Sequence, residues 1–323
     1  MTHRVHPSLV LAVALLGALQ WPGAWAQTTL PRVGIVANLE NDPMFEVFEQ
    51  TLARHGWVKG KNVAFVYRIT GGQIERISKA TTELVGLNVD VMCTFSAPAT
   101  RAVASATRTV PIVAQDMTTD PIAAGYAESY ARPGRNVTGV FLDAPDFAVK
   151  WVELLKTIVP NLSRVLVVWD PSPGTTHPDA VKNAASSFGV AVQVVEVRTP
   201  EDIDRGFGAL RGRPQAIILL PSPMMYVNNR HIAQLALKHR LPATSIFREF
   251  AEAGGAIGYG PDQPAYVERV AEQVAKILAG AKPEDLPIER PSKFEFIFNL
   301  KTMKALGLSV PESVLLRADE VIR

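Results

Sequence analysis

Two stretches of the chain end an apolar, strand-like run in a serine that is soon followed by proline. The first is "VDVMCTFSAPAT", which contains Ser96 and Thr100, and the second is "QAIILLPSPMMY", which contains Ser222. A serine at this place caps the following helix, and proline is tolerated because first-turn N–H groups have no partner within the helix. The same N–H groups, at the positive end of the helix dipole, can hold a carboxylate. The two serines are therefore either ordinary caps or anion-binding groups, with the Ala97 N–H and the Thr100 hydroxyl as further donors.

The elements that carry these serines are expected to be strands alternating with helices. Short runs rich in β-branched residues begin at positions 32, 62, 89 and 111, and a second set begins at 164, 191, 215 and 242. Segments with helical spacing, such as Phe45, Phe48 and Leu52, separate the runs. This alternation predicts an α/β fold with parallel sheets. The repeated spacing predicts two doubly wound lobes with a cleft between them.

Open α/β sheets bind ligands outside the carboxyl ends of their strands. Polar and aromatic residues follow several predicted strands, so we expect them to converge on the cleft, although each one alone is typical of a turn or a core. Asp116 and Asp170 would suit an ammonium group, whereas the aromatic residues would pack against an apolar side chain. The predicted ligand-binding residues are Asn38, Phe45, Ser96, Ala97, Thr100, Gln115, Asp116, Asp170, Ser222, Met224, Phe247, Tyr259 and Asp262.

No catalytic or metal-binding constellation accompanies these residues in the sequence. There is no G-x-S-x-G elbow, no P-loop and no G-x-G-x-x-G, and the histidines form no H-x-x-x-H pair. The stretch "TGGQIE" (70–75) has two glycines but lacks the rest of a phosphate-binding pattern, which favours a loop. The sequence predicts a protein that is not an enzyme and that has no cofactor and no metal site.

The composition is that of an ordinary globular protein: 323 residues, of which 47% are hydrophobic and 20% charged. This length suffices for two domains. The 33 basic and 31 acidic residues form no basic run or stripe, which argues against a nucleic-acid partner.

The first 26 residues are typical of a cleavable export signal. Arg4 precedes an uncharged apolar segment from Ser8 to Leu19, and Ala24-Trp25-Ala26 supplies the small residues that precede a cleavage site. The apolar segment is shorter than the roughly 20 residues that span a bilayer. The only cysteine, Cys93, lies within a strand-like run, so it forms no intramolecular disulfide and is no lipid anchor. We expect the mature protein to be soluble and exported.

A series of longer motifs covers nearly all of the chain after the signal. The motifs are "RVGIV", "GWVKGKNVAFVYR", "PIVAQDMTTDPIAAGYAESYARPGRNVTGV", "KWVELLKTIVPNLSRVLVVWDP", "FREFAEAGGAIGYGPD" and "KFEFIFNLKTMKALGLSVPESVLLRADEVI". In this series the chain resembles the bacterial ABC-transporter substrate-binding proteins of the tryptophan/tyrosine-type family. The resemblance implies a type I periplasmic binding protein, in which two lobes joined by hinge crossings close over a small ligand, often an aromatic or branched amino acid. It also implies a periplasmic location.

The chain departs from this family at two positions that bear on the ligand. Relatives commonly carry an acidic residue after "LLP", where this chain has Ser222, and Asn-Pro after "RVLVVW", where it has Asp170-Pro171. The resemblance therefore does not specify which ligand is bound.

Segments 137–140 and 257–260 contain glycines that suit hinge crossings between the lobes, and 287–291 would be a third. The expected organisation is a signal peptide at 1–26, lobe I at 27–138 plus about 262–290, and lobe II at 139–261 plus about 291–323.

Three classes of function are compatible with these features. The leading one is an exported receptor that captures a small polar or amphipathic ligand and delivers it to an ABC importer. An exported sensor that presents its ligand to a membrane kinase or chemoreceptor would share every residue above, and an exported α/β hydrolase is disfavoured by the missing nucleophile elbow. The expected partners are a small-molecule solute and an ABC permease with its ATPase. We expect a monomer that touches the membrane only through those proteins.

Overall fold

The structure is a computed structural model that describes residues 30–142 and 144–323, together with Met1. Residues 2–26 of the predicted signal peptide lie outside the described residues. The described chain forms two α/β lobes, each built around one sheet. None of the described helices is long and apolar enough to cross a membrane.

Lobe I contains a five-stranded parallel sheet in the order β2-β1-β3-β4-β5. Its strands are β1 (Arg32–Ala37), β2 (Ala64–Ile69), β3 (Val91–Thr94), β4 (Ile112–Asp116) and β5 (Val137–Phe141). The helices α1 (Pro43–Arg54), α2 (Ile74–Gly86) and α3 (Ala97–Ala106) follow its first three strands. Strands β3 and β4 are buried at every residue, as expected for parallel strands covered on both faces.

Lobe II contains a seven-stranded sheet in the order β12-β11-β10-β9-β8-β6-β7. Its strands are β6 (Arg164–Trp169), β7 (Ala191–Glu196), β8 (Ala216–Leu219), β9 (Ala243–Ser245), β10 (Ile257–Pro261), β11 (Phe294–Asn299) and β12 (Glu320–Ile322). The remaining helices are α4 (Ala144–Ile158), α5 (Thr176–Ser187), α6 (Pro200–Gly208), α7 (Pro223–Val227), α8 (Asn229–Lys238), α9 (Arg248–Glu252), α10 (Gln263–Leu278), α11 (Leu300–Leu306) and α12 (Glu312–Leu315).

The two sheets share one topology. The order β7-β6-β8-β9-β10 in lobe II repeats the order β2-β1-β3-β4-β5 in lobe I. The α/β fold with two parallel lobes that the strand spacing predicted is therefore confirmed. Strand β11, which is antiparallel to β10, is an addition that the spacing did not foretell.

The chain crosses between the lobes at three places. The first crossing follows Phe141 at the end of β5, so the boundary expected at 138 lies inside a strand of lobe I. The second separates β10 from α10, which packs on lobe I, where the Tyr266 hydroxyl donates to the Asp116 carbonyl at 3.1 Å. The third lies between Glu289, whose N–H donates to the Gly139 carbonyl of lobe I, and Phe294 of β11.

Glycines in the first two crossing segments have a packing reason besides rotation. Gly139 has a φ of 139°, and a Cβ there would lie 2.1 Å from the Ala114 carbonyl oxygen on β4. A Cβ at Gly260 would lie 2.2 Å from the Ile246 carbonyl oxygen. Both positions therefore require glycine because neighbouring main chain occupies the side-chain space.

Candidate functional site

A cavity lies between the lobes at the carboxyl ends of β1, β3, β4, β8 and β9. The empty space of this cavity, together with the open solvent at its mouth, amounts to about 710 Å³. The lining residues are Ala37, Asn38, Asp42, Met44, Phe45, Phe95, Ser96, Ala97, Pro98, Gln115, Met117, Thr118, Pro173, Pro221, Ser222, Pro223, Tyr226, Phe247 and Gln263.

The structure brings part of the predicted site together at this cavity. The predicted residues among its lining are Asn38, Phe45, Ser96, Ala97, Gln115, Ser222 and Phe247. They follow strands of both lobes, as the rule for open α/β sheets requires. The cavity therefore occupies the place at which the sequence predicted a ligand site.

Two predicted residues of lobe I are placed in the interior instead. The Thr100 hydroxyl is fully buried, 2.8 Å from the Thr94 hydroxyl and 2.9 Å from the Ser96 carbonyl, to which it donates. Asp116 is also fully buried, and its Oδ1 accepts from the N–H groups of Thr118 and Thr119 at 2.9 and 3.0 Å. Burial raises the pKa of the Asp116 carboxyl. Neither residue lines the cavity. Nearby groups of lobe I hold the Thr100 hydroxyl and the Asp116 Oδ1, whereas the buried Asp116 Oδ2 has no hydrogen-bond partner among the described residues.

Four further predicted residues also lie away from the cavity. Asp170 accepts from the N–H and the hydroxyl of Ser172, both at 2.9 Å, and so shapes the turn after β6. The Met224 side chain belongs to the core of lobe II. Tyr259 packs its ring near Phe296 in the same lobe.

The fourth is Asp262, which caps α10 by accepting from the Ala265 N–H at 3.0 Å. Its other oxygen pairs with Lys293 at 2.5 Å. The ion pair and the cap together hold the pKa of the Asp262 carboxyl below its ordinary value although partial burial opposes them.

The one charged side chain among the described lining residues is Asp42, which the sequence-based set did not include. It caps α1 by accepting from the Met44 N–H at 3.0 Å, and its second oxygen accepts from the Tyr226 hydroxyl of lobe II at 3.3 Å. Burial raises the pKa of the Asp42 carboxyl despite both bonds. Burial also raises the pKa of the Tyr226 hydroxyl, with Glu249 and Asp42 adding to the effect. The seam between the lobes thus holds a carboxylate that lacks a cationic partner among the lining residues.

A pair of glutamine side chains forms another part of the wall. The Gln115 Nε2 donates to the Gln263 Oε1 at 3.1 Å, which joins β4 to the start of α10. Gln115 is only 4% exposed, and its Oε1 has no hydrogen-bond partner among the described residues. Because a buried acceptor without a partner costs free energy, this atom is suited to an N–H donor of a ligand.

Both serines of the two Ser-Pro stretches cap helices at the cavity. Ser96 Oγ accepts from the Ala99 N–H at 3.4 Å at the start of α3, and Ser222 Oγ accepts from the Met225 N–H at 3.1 Å at the start of α7. The capping reading thus holds for both, but the Ser96 contact is close to the limit of a hydrogen bond. Ser96 and Ala97 both line the cavity, and the Ala97 N–H, in the first turn of α3, has no partner within the helix.

Aromatic rings cover much of the remaining wall. Phe45 and Phe95 line the cavity from lobe I, while Tyr226 and Phe247 line it from lobe II with their ring centroids 5.0 Å apart. Such rings suit an apolar or aromatic group of a ligand. Within the described part of the chain, no group of three or more His, Cys, Asp or Glu side chains is arranged to hold a metal ion.

Sequence reasoning missed several lining residues for different reasons. Asp42 lies five residues after β1 and directly precedes Pro43 at the start of α1, which is the same cap-and-proline signal that singled out the two serines. Gln263 begins a helix that returns from the other lobe, and no local pattern shows that it meets Gln115. Its position is decided by the crossing of the chain.

Two lobes of repeated topology around a cleft match the fold of the two-lobed periplasmic binding proteins. Residues 32–322 match the ABC transporter substrate binding protein family, and the chain belongs to this family. Its relatives are solute-binding proteins, which confirms the prediction that the chain is not an enzyme.

Individual relatives agree with this assignment. A tyrosine-binding protein of Clostridioides difficile is 23% identical over 281 residues, which cover 84% of this chain and 80% of the relative. Among solved structures, a conserved domain protein from Vibrio cholerae is 26% identical with a TM-score of 0.83, covering 91% of this chain and 100% of that one. A domain from Streptococcus pneumonia in complex with L-Trp shares the fold with a TM-score of 0.82 at 24% identity, over 91% and 100% of the two chains.

Proposed function

We propose that this chain is an exported receptor that captures an amino acid with an aromatic or branched side chain and delivers it to an ABC importer. The observation that carries the proposal is the composition of the interlobe cavity. One carboxylate, a free amide oxygen, the start of a helix and several aromatic rings face the same space. These are complementary groups for an ammonium, a carboxylate and an apolar side chain.

The placement of the ligand follows from the charges on the wall. Its ammonium group would lie near Asp42 and the free Gln115 Oε1. Its carboxylate would accept from the Ala97 N–H and the Ser96 hydroxyl at the start of α3, and its side chain would lie against Phe45 and Phe247. The names of the tyrosine-binding relative and of the Trp-bound neighbour support this ligand class.

Export and delivery belong to the same proposal. The signal-like first 26 residues and the family of the chain support a periplasmic receptor. Cys93 is fully buried in β3, so this residue is unsuited to carrying a lipid anchor.

The ligand is tested directly on protein purified without denaturation. Mass spectrometry of the released small molecule is expected to reveal an amino acid. Added L-tryptophan, L-tyrosine or L-leucine should raise thermal stability, by about 2.7 kcal/mol at one hundred times the dissociation constant, and should be recovered unchanged.

Two analogues of tryptophan serve as controls in the same assay. Indole-3-propionate lacks the ammonium group and tryptamine lacks the carboxylate, so both should stabilise the protein less than L-tryptophan. No stabilisation by any amino acid, or consumption of the added ligand, would contradict the proposal. Loss of uptake of the identified amino acid in cells that lack this chain would support delivery to an importer rather than sensing.

A further inference from the structure

One long side chain of lobe I reaches across the cleft without lining the cavity. Arg101, on α3, donates from Nη1 to the Ser172 carbonyl at 3.1 Å and from Nη2 to the Pro173 carbonyl at 3.2 Å. Burial raises the pKa of the Tyr126 hydroxyl, also in lobe I, and the nearby Arg101 guanidinium opposes this rise. Arg101 therefore links a helix of one lobe to the main chain of the other.

The receiving loop is shaped so that it can accept both bonds. Asp170 holds the N–H and the hydroxyl of Ser172, and the Gly174 carbonyl accepts from the Trp169 indole N–H at 3.1 Å. These bonds fix the main chain of 170–174 in one turn. A planar guanidinium, which donates in a fixed fork, matches two carbonyl groups presented in this way.

The loop also forms part of the ligand site. Pro173, whose carbonyl accepts from Arg101, lines the cavity, whereas Arg101 does not. The donor and its acceptors belong to different lobes, so a separation of the lobes would break both bonds. They therefore contribute to the closed state and not to the first encounter with the ligand.

We propose that Arg101 is a positioning residue for ligand retention: its two bonds to the 170–174 loop hold Pro173 over the bound ligand and slow the opening of the cleft. The proposal rests on the proposed function, because it concerns the release of a captured ligand. Asp170 takes part through the turn that it stabilises, which gives this predicted site residue an indirect role.

The first test is a kinetic comparison by stopped flow, with L-tryptophan and L-tyrosine as probes. In Arg101→Ala the dissociation rate should rise about tenfold, while the association rate should change less than about threefold, since the bonds form after capture. Arg101→Lys, which keeps the charge but not the fork, should restore part of the loss. Arg108→Ala is the matched control. Arg108 is an exposed arginine of the same lobe, and it precedes β4 at the amino ends of the strands, away from the cavity.

The second test measures closure itself by the distance between two spin labels, without ligand and with each probe. Labels fit at Lys79→Cys in lobe I and Lys182→Cys in lobe II, whose native side chains are 82% and 51% exposed. Burial raises the pKa of the Cys93 thiol, which keeps this residue unreactive. In Arg101→Ala the distribution should shift toward longer distances.

Two results would overturn the proposal. One is an unchanged distance distribution in Arg101→Ala, and the other is an unchanged dissociation rate beside a changed distribution. Failure of the proposed function is a different result: no probe binds the wild-type protein, while the ligand-free distances still respond to Arg101→Ala.

Discussion

The two lobes share one strand order but contribute different chemistry to the cavity. Lobe I supplies most of the hydrogen-bonding groups, namely Asn38, Asp42, Ser96, Gln115, Thr118 and Gln263. Lobe II supplies three prolines and the rings of Tyr226 and Phe247, with Ser222 as its other hydroxyl. With the ligand placed as proposed, lobe I would orient its polar end and lobe II would cover it. A duplicated topology therefore does not imply a duplicated role.

The two serine caps show the same division on a smaller scale. Ser222 is bonded at 3.1 Å to a helix of five residues, whereas Ser96 is only 3.4 Å from its partner at the start of a helix of ten. The short helix α7 depends more on its cap, because few residues share the cost of starting it. The serine of lobe I is the one with a hydroxyl available to a ligand.

The largest expected effect is a loss of stability at low pH that arises from a buried histidine in lobe II. His177 is 6% exposed, and burial lowers the pKa of its ring to about 4 from an ordinary 6.5. Its contribution to stability is fully present above pH 6.5 and is lost as the pH falls from 6.5 to about 4. The free energy of unfolding should therefore fall by about 3 kcal/mol over that range in addition to other titrations. Denaturant unfolding of His177→Gln at several pH values should show a free energy of unfolding that falls less steeply between pH 6.5 and about 4. The same pH dependence in the variant and the wild-type protein would contradict this prediction.

The polar role of lobe I is tested most strongly by Asp42→Asn. The amide keeps the cap of α1 but removes the charge that would pair with an ammonium group. Affinity for L-tryptophan or L-tyrosine should fall about ten- to a hundredfold by calorimetry, since a bond to a charged group is worth roughly 1.5–3 kcal/mol. Asp120→Asn, in an exposed turn of the same lobe that does not line the cavity, should bind normally. Equal affinities for both variants would show that Asp42 of lobe I does not bind the ammonium group of the ligand.

The contact between the lobes is tested by two neighbouring glycines. Gly71 and Gly72 have φ values of 64° and 73°, so alanine at either should cost about 1 kcal/mol of stability. Only at Gly72 would the Cβ meet lobe II, 2.9 Å from the Pro223 carbonyl oxygen. Gly72→Ala should therefore lower affinity by about tenfold, whereas Gly71→Ala should leave it unchanged. Equal affinity losses would mean that strain in lobe I, rather than closure, is responsible.

The smallest effects should separate the two serines. Ser222→Ala should lose about 1 kcal/mol of stability with little change in affinity, because its cap is well formed. Ser96→Ala should lose less stability but bind an amino-acid probe several-fold more weakly. Thermal denaturation and calorimetry on both variants decide the matter. A Ser96→Ala variant that is merely less stable would make this serine a cap like its counterpart.

Some of the site could be predicted from local sequence and some could not. The strand-end rule placed Asn38, Ser96 and Ser222 at the cavity, because a strand and the following helix fix the position of the residues between them. It placed Gln115 there because this residue is the last but one of β4. The same rule cannot separate an acid that faces the cleft from one that closes its own turn. Asp116 and Asp170 both accept from N–H groups two or three residues ahead, which a carboxylate after a strand does wherever the turn allows.

The sequence by itself determined the alternation of strands and helices, the repeat and the helix starts, because these depend on residues close together in the chain. Tertiary structure decided which groups meet. Gln115 and Gln263 are 148 residues apart, and Asp42 and Tyr226 are 184 apart. Contacts of this kind arise only when α10 returns to lobe I and when the lobes close, so their partners depend on the packing of whole elements rather than on any local pattern.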